Sequence, residues 1–541
     1  MGTGFIDRVS NGRSTELGEP RQVPFRSILF EEPETAADVD KREEPEFFAD
    51  LNLDQIVTSI TAGRDEYNLK PFFYTPLSRV EAINYRHEIL RDLEGEALIG
   101  HVRSFAADMR TMRSHLAQSE KLYYKGQKQS WFLDAVEIYC SAVNRLSSNL
   151  AITDLRSRGF VSFREFLKNY TQSGDFISLT ADTEKLKADF SGIRYSLHIH
   201  GKRIYVNKYN SEPDYGAEVL RTFEKFRQRA PKEYRFDFRS TPDMNHVEAA
   251  ILDLVAQLHP ETFSFLEDYC NRNSSYLNTT IGTFDREVQF YLAYLEYSQQ
   301  FKQAGLSLCY PTVTDQSKEV HDREGFDLAL ANKLIHEKAP VVTNDFYLKD
   351  PERIIVVSGP NQGGKTTFAR TFGQLHYLAS IGCPVPGEEA RLFVFDWLFT
   401  HFEKEEDIQN LSSKLEDELL RIHRVLDLAT PNSILIMNES FLSTTLDDAL
   451  FLSKHIMERI IALDILCVSV TFLDELASSS KSTVSMVSMV SPSDPAVRTF
   501  KVVRRPAEGL AYAVAIAEKY HLTYDRVKAR VAEKAQERDS S

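Results

Sequence analysis

The chain has 541 residues, 42% of them hydrophobic and 26% charged, with a formal net charge of −15. This length exceeds what one hydrophobic core usually organises, so we expect roughly two to four domains. The charge excludes a protein coated in basic residues, and five scattered cysteines without a CxxC pair favour reduced thiols over a disulfide or metal framework. No window approaches about 18 uncharged apolar residues and Met1–Phe5 lacks a signal-peptide core, so we expect a cytoplasmic protein without membrane contact.

In chain order, the composition and periodicity predict five regions. Residues 1–50 are rich in Glu, Asp, Pro and Gly and predict a flexible or loosely docked acidic arm. Residues 51–180 and 241–304 have helical periodicity, for example in Phe105, Met109, Met112 and Leu116, and predict an all-α domain in two parts. Residues 181–240 interrupt it, and residues 305–541 alternate strands and helices as in a parallel α/β sheet.

The interrupting region predicts a basic β-hairpin. Apolar residues from Ile193 to Ile199 alternate with polar ones, and a turn at Gly201–Lys202 follows. Between Lys185 and Arg239 there are 13 Lys and Arg against 7 Asp and Glu. These cations could form a tip that contacts phosphates and sugars, or they could be the solvated face of a small packing domain. The candidate DNA contacts are Arg194, Lys202, Arg203 and Lys208.

A glycine-rich loop after the apolar run 354–357 predicts a phosphate site. The loop precedes a segment with apolar residues at helical spacing, so strand, loop and helix occur in the order that a P-loop requires. Main-chain N–H groups would surround the phosphates, Lys365 would reach the β and γ phosphates, and the Thr366 hydroxyl would bind Mg²⁺. The loop residues are Gly359, Pro360, Asn361, Gln362, Gly363, Gly364, Lys365, Thr366 and Thr367.

A second strand supplies a carboxylate. The apolar run 433–437 predicts a buried parallel strand, and it ends in Asn438 and Glu439. Glu439 is then placed to orient or deprotonate an attacking water, with Lys365 as the second catalytic candidate. The alternative is a solvated glutamate that merely follows a strand.

These motifs resemble those of the MutS mismatch-repair ATPases. The loop is similar to GPNxGGKST, residues 438–445 stand where that family has DE(I/L)GRGTST, and residues 340–345 are similar to its VPND segment. Residues 410–418 resemble the signature containing STFMxEM. The resemblance implies that Ser412 or Ser413 contacts the γ phosphate held by a second subunit, and that Thr366 and Asn438 serve Mg²⁺.

The resemblance also implies an architecture. It predicts an α/β P-loop ATPase domain of the MutS/ABC type at 305–541, preceded by an all-α core and lever domain with a small clamp-like β insertion. A homodimer through the ATPase domains would bind ATP and Mg²⁺, and would bind duplex, mismatched or branched DNA at the nucleoid. Helical sequence begins by about residue 50, so we expect neither the mismatch-reading nor the connector domain, and the last residues do not suggest an Smr module.

Departures from the family pattern keep a second function open. Asn438 replaces an Asp, Phe472 stands where the family has a His, and residues 509–513 follow the family's SYGLAVA only loosely. Losing an outer-shell metal partner typically costs about 10- to 100-fold in affinity or activity, so we expect slow hydrolysis.

The leading prediction is an ATP-dependent DNA-binding protein of mismatch repair or recombination. The alternative is a nucleotide-switched dimeric scaffold that hydrolyses little and binds protein, and a kinase is a weaker third option.

Overall fold

The computed structural model describes residues 25–32, 38–212, 218–219, 221–222, 244–403, 414–441, 443–491, 493–494, 497–507, 522–524, 526–528 and 530. Its first part is helical: α1 (Phe47–Leu51), α2 (Leu53–Thr61), α3 (Lys70–Phe73), α4 (Val80–Leu93), α5 (Glu96–Lys121), α6 (Lys125–Ile152), α7 (Arg158–Thr171) and α8 (Gly174–Gly192). A hairpin of β1 (Tyr195–His200) and β2 (Arg203–Lys208) follows. The helices α9 (His246–Leu258), α10 (Pro260–Arg272) and α11 (Thr279–Gln303) come next.

The remainder mixes strands and helices. It contains β3 (Leu308–Cys309), β4 (Thr312–Thr314), β5 (Val320–Gly325), α12 (Leu328–His336), β6 (Asn344–Leu348), β7 (Ile354–Ser358), α13 (Lys365–Ser380), β8 (Val385–Pro386), β9 (Glu389–Phe393), β10 (Leu398–Phe402), α14 (Lys414–Leu428), β11 (Ile434–Asn438), α15 (Leu446–Ala462), β12 (Leu466–Val470), β13 (Thr483–Val490) and β14 (Arg498–Arg504). The protein is therefore a mixed helix and sheet structure.

Helix α5 illustrates how the helical part is specified. Its buried side chains include Val102, Phe105, Met109 and Met112, which recur at steps of three and four residues and form one apolar stripe along α6. The predicted face is confirmed at Phe105, Met109 and Met112, whereas Leu116 is only half-buried. None of the helices in the described part of the chain is long and apolar enough to span a bilayer.

The predicted hairpin is present. Strands β1 and β2 pair antiparallel, with Ile199 opposite Ile204 and His200 opposite Arg203. The connecting turn has Gly201 at φ +62°, a left-handed conformation that costs glycine little. Residues directly opposite each other share a face, so one face is mainly apolar and the other carries histidines, Tyr205 and Arg203.

Residues 25–32 differ from the loosely docked arm expected for residues 1–50. Ile28, Leu29 and Phe30 are buried, and the Glu287 carboxylate of α11 accepts hydrogen bonds from the Ser27 hydroxyl and the Ile28 N–H. The polar composition that suggested a loose arm does not apply to this short apolar run, which packs into the helical core. Residues 1–24 and 33–37 lie outside the described residues.

The α/β part is built around one six-stranded sheet with the order β10-β11-β12-β7-β13-β14. All neighbours are parallel except β13 and β14, which are antiparallel. Strand β7 is wholly buried near the centre, so the loop at its carboxyl end has strands on both sides. A four-stranded sheet, β4-β9-β5-β6, accompanies it. The buried residues of α13 and of the helical part belong to one hydrophobic cluster.

Candidate functional site

The loop between β7 and α13 is held close to β13 by its glycines. Gly359 and Gly364 have φ of +117° and +93°, which side-chain-bearing residues rarely adopt. A Cβ on Gly363 would lie 2.2 Å from Ser488 Oγ, and this hydroxyl donates a 2.5 Å hydrogen bond to the Gly363 carbonyl. Only glycine fits at residue 363 while Ser488 keeps this position, so the main chain of the loop is fixed by β13.

Lys365, the first residue of α13, points back into its own loop. Its ammonium donates to the carbonyl oxygens of Gly359 (3.0 Å) and Pro360 (3.3 Å) and to Asn361 Oδ1 (3.2 Å). The residue is only 5% exposed. Burial lowers the pKa of Lys365, and the carboxylate of Glu439, 3.8 Å away, opposes that shift. The result is a nearly enclosed cation at the start of a long helix.

Three polar side chains from two elements meet beside this lysine. The Thr366 hydroxyl donates a 2.9 Å hydrogen bond to Asn438 Oδ1 at the end of β11. Glu439 follows at φ +52°, and its N–H donates to the Val470 carbonyl of β12. Phe441 also has a positive φ, of +63°. Backbone strain of this kind clusters at functional sites, and here a carboxylate oxygen of Glu439 lies 3.8 Å from Lys365 Nζ.

A cavity of about 540 Å³ opens over the loop. One side is formed by Gln362, Gly363, Gly364, Lys365, Thr366, Thr367 and Glu439. The other side is apolar, with Leu330 and Leu334 of α12 one helical turn apart and Val341 and Val342 before β6. Phe500 of β14 completes the wall. Ligand sites of this size commonly combine an apolar wall with a few polar groups, so a phosphorylated ligand with an apolar ring system fits the cavity.

The helix that carries Lys365 is bonded to the helical part along one face. Arg370 Nε donates to the Asp50 carbonyl, Gln374 Nε2 to the Leu51 carbonyl and the Tyr377 hydroxyl to the Phe73 carbonyl, each at 2.8 Å. At the carboxyl end of α13, Arg86 Nη1 donates to the Ile381 carbonyl, also at 2.8 Å. A displacement of α13 would therefore act directly on α1, α3 and α4.

The structure thus brings together the loop residues 359–367, Asn438 and Glu439 in one place. The candidate DNA contacts Arg194, Lys202, Arg203 and Lys208 are all exposed on or beside the hairpin, in another part of the molecule. Ser412, Ser413 and the segment 509–513 lie outside the described residues. Phe472 follows β12 with 46% of its surface exposed.

Sequence reasoning missed several residues of this site. Ser488 fixes the loop from more than a hundred residues away in the chain, and Glu418 of α14 is buried and accepts a 3.1 Å hydrogen bond from the Phe441 N–H. Burial raises the pKa of Glu418. Neither residue has a local pattern that distinguishes it from an ordinary serine or glutamate. Leu330 and Leu334 could have been suspected from their spacing, but not their position in the cavity wall opposite the loop.

The part of the chain that carries the glycine-rich loop is similar to known proteins. A family model described as MutS domain V matches residues 355–537. Three curated relatives are each described as DNA mismatch repair protein MutS. The protein from Petrotoga mobilis is 31% identical over 156 residues, covering 27% of this chain and 18% of the relative. The Halalkalibacterium halodurans protein is 35% identical over 119 residues, covering 22% of this chain and 14% of the relative.

The third relative, from Bacillus pumilus, is 25% identical over 231 residues, covering 40% of this chain and 25% of the relative. The aligned regions thus span a quarter or less of these relatives. The likeness is concentrated in the domain that carries the glycine loop and the Asn438–Glu439 pair. Residues 355–537 of this chain are therefore similar to domain V of the MutS family, and the three MutS proteins are similar to parts of the chain.

Proposed function

We propose that the protein is an ATPase of the MutS type that couples nucleotide binding to DNA binding. One observation carries the proposal: Lys365 and Glu439 lie close together at one end of the cavity, next to the hydrogen bond between Thr366 and Asn438. In the proposed role, Lys365 and the loop N–H groups bind the β and γ phosphates. Glu439 orients and deprotonates the attacking water, as carboxylates do in other phosphoryl-transfer sites.

The residues present fit a nucleotide and a magnesium ion. Gly363 leaves no room for a Cβ against Ser488, so main-chain amides can approach phosphates closely. Thr366 Oγ1 and Asn438 Oδ1 are neutral oxygen donors of the kind that Mg²⁺ accepts directly or through water. Held by Thr366 and Asn438, Mg²⁺ would supply charge neutralisation for the phosphates. The neutral side chain of Asn438 predicts weaker magnesium binding than an aspartate would give.

The proposed dimer joins two ATPase domains around two nucleotides. The family resemblance assigns Ser412 or Ser413 to the γ phosphate of the second subunit, so ATP, unlike ADP, should favour the closed dimer. Moving such an equilibrium from 1:99 to 99:1 requires about 5.5 kcal/mol of differential binding. Triphosphate contacts from both subunits are the proposed source of that difference. Light scattering of the Glu439→Gln variant with ATP and with ADP tests this directly.

The proposed transmission path leads from α13 to the hairpin. Residues 51–180 and 241–304 would be the core and lever, and residues 181–240 the clamp-like insertion. The four hydrogen bonds from α13 and Arg86 to neighbouring main-chain carbonyls support this path, because a movement of the loop helix pulls on the helical part. Arg194, Lys202, Arg203 and Lys208 would then bind DNA phosphates. Affinity should be salt-dependent and carry little sequence preference.

The deciding experiment measures nucleotide binding and ATP hydrolysis with and without duplex, mismatched and branched DNA. Lys365→Ala should abolish nucleotide binding, whereas Glu439→Gln should retain binding and lose hydrolysis. Reversing the charge of Arg194, Lys202 and Arg203 should weaken DNA binding and reduce the slope of log K against log salt by up to about 3. A matched variant reverses three exposed lysines elsewhere, Lys168, Lys454 and Lys481. DNA binding equally weakened by both variants, or no effect of any DNA on hydrolysis, would contradict the proposal and favour a protein-binding scaffold.

A further inference from the structure

The turn between α5 and α6 presents an aromatic and basic surface that the hairpin does not include. Its sequence, from Lys121 to Lys128, is KLYYKGQK. Tyr123 has 88% of its surface exposed, and its ring meets that of Tyr124 edge-on at a centroid distance of 5.2 Å. An aromatic ring this exposed forfeits the free energy that its burial would contribute in a core. Together with the lysines of the same turn, the exposed ring makes this turn a candidate binding surface.

The turn is anchored although its aromatic tip is exposed. Leu122 is buried with 3% exposure, and the Ser119 hydroxyl donates a 2.9 Å hydrogen bond to the Lys128 carbonyl across the turn. A Cβ on Gly126 would lie 2.8 Å from Leu252 of α9, which shows how closely α9 covers the start of α6. Tyrosine has only two side-chain torsions to order on binding, so a tyrosine on a fixed turn loses little entropy when it contacts a ligand.

Positive charge accompanies the exposed ring. Lys125 forms a 2.5 Å ion pair with Glu267 of α10. Within the described residues, neither Lys121 nor Lys128 has a carboxylate partner among the ion pairs. An exposed aromatic ring, an exposed Lys121 and a half-buried Lys128 in one turn suit a ligand that has both π faces and phosphates.

The turn lies at the same end of the helical part as the hairpin. The Met244 N–H, just before α9, donates to Gln127 Oε1 at 3.4 Å, and α9 packs both on the start of α6 and on β2. The turn and the basic hairpin are therefore joined through α9, and one nucleic acid contacting both is the arrangement that the inference requires.

We infer that the turn Lys121–Lys128 is a second nucleic-acid contact, in which Tyr123 stacks on an unpaired base while Lys121 and Lys128 contact the neighbouring phosphates. In duplex DNA the faces of the bases are covered by their neighbours, and only unpaired nucleotides offer a face for stacking. The turn therefore selects DNA that carries a single-stranded arm or a branch. This inference rests on the proposed DNA-binding function and assigns part of its specificity.

The test compares fluorescence anisotropy of the full chain with a short duplex, the same duplex carrying a single-stranded arm, and oligothymidine. Tyr123→Ala should weaken binding of the armed duplex and of oligothymidine by about 5- to 150-fold, the range expected for one stacked base, and leave the plain duplex unchanged. Tyr123→Phe should retain the native affinity. Ile152→Ala removes another highly exposed side chain, 85% exposed at the opposite end of α6, and should change nothing.

The outcomes separate the two claims. If the native protein binds no DNA in any form, the proposed function fails, and this inference fails with it. If the native protein binds DNA and Tyr123→Ala leaves all three affinities unchanged, only the stacking site is refuted. An equal loss for plain and armed duplexes would also refute it, because it indicates a backbone contact. A change confined to self-association would refute it as well, and would show that the turn is a protein interface.

Discussion

Thr366 Oγ1 and Asn438 Oδ1 are joined by a 2.9 Å hydrogen bond that connects the first turn of α13 to the end of β11. The same bond fixes the orientation of the Asn438 amide, because a hydroxyl proton is donated to its oxygen and the NH₂ group must point elsewhere. A neutral acceptor thus stands at the point where the MutS family resemblance expects a carboxylate.

Replacing Asn438 with Asp should strengthen magnesium binding and raise hydrolysis. The carboxylate keeps the acceptor for the Thr366 hydroxyl and adds a charge next to the metal position, which we expect to be worth about 10- to 100-fold in metal affinity or activity. Magnesium titrations of nucleotide binding and of ATP hydrolysis measure the change. Asn438→Ala is the comparison, because it removes the oxygen and should weaken both. Equal magnesium dependence in all three proteins would show that this side chain has no metal role.

Gly363→Ala should reduce nucleotide affinity by at least about tenfold and also lower the free energy of unfolding. The new Cβ would lie 2.2 Å from Ser488 Oγ and 2.9 Å from the Pro360 carbonyl, so the loop must move away from β13. Overpacking of this kind typically costs about 1–3 kcal/mol. Isothermal calorimetry gives the affinity, and thermal denaturation gives the stability.

Gly100→Ala is the matched control for that substitution. Gly100 lies inside α5, where an added Cβ would meet open space, and alanine there should stabilise the helix by roughly 0.5–1 kcal/mol. If Gly363→Ala bound nucleotide as the native protein does, close approach of the loop to β13 would not be needed for binding.

The loop, its strand and its helix were predictable from sequence because all their determinants are local. Glycines at fixed spacing, an apolar run and helical periodicity all lie between residues 354 and 380. Asn438 and Glu439 were predictable because a short apolar strand ends at them. The hairpin followed from alternation and a glycine turn.

The contacts that hold these elements together were not predictable. Ser488 lies 125 residues after Gly363, and Arg86 lies 295 residues before Ile381, so each pairing exists only in the folded chain. Residues 25–32 were predicted to be loosely docked from the polar composition around them. Glu287 accepts hydrogen bonds from Ser27 and Ile28 of this run, and that role has no sequence signature.

Arg86→Met should destabilise the protein by about 2–5 kcal/mol. Arg86 is completely buried, and it donates to the Leu29 carbonyl at 3.1 Å and to the Ile381 carbonyl at 2.8 Å. Each buried acceptor left without a donor costs about 1–3 kcal/mol. Arg86→Lys should not restore the native stability, because one ammonium cannot reproduce the planar set of donors. Denaturant unfolding measures the free energy.

Arg79→Met is the matched control, because it removes a guanidinium group that contacts the same N-terminal segment from the surface. Arg79 pairs with Glu32 of the same N-terminal segment, but its side chain is 55% exposed, so its loss should leave the stability almost unchanged. Similar effects of the two substitutions would show that the segment is held by surface charge and not by the buried bonds.

Asp322→Asn should stabilise the protein at alkaline pH. Burial, together with the carboxylates of Asp345 and Glu324, raises the pKa of Asp322 to about 8. An unfolded aspartate has a pKa of about 3.9. Between these values the folded state holds a proton that the unfolded state has released, so this group's stabilising contribution falls as the pH rises from about 4 to about 8.

Asparagine resembles the protonated acid and carries no proton to lose. Thermal denaturation should therefore give the variant a melting temperature close to the native one at pH 4 and a higher one at pH 8 to 9. Asp65→Asn, at an exposed position, should show no such trend. A pH-independent difference between Asp322→Asn and the native protein would indicate that Asp322 ionises in the folded protein as it does in the unfolded chain.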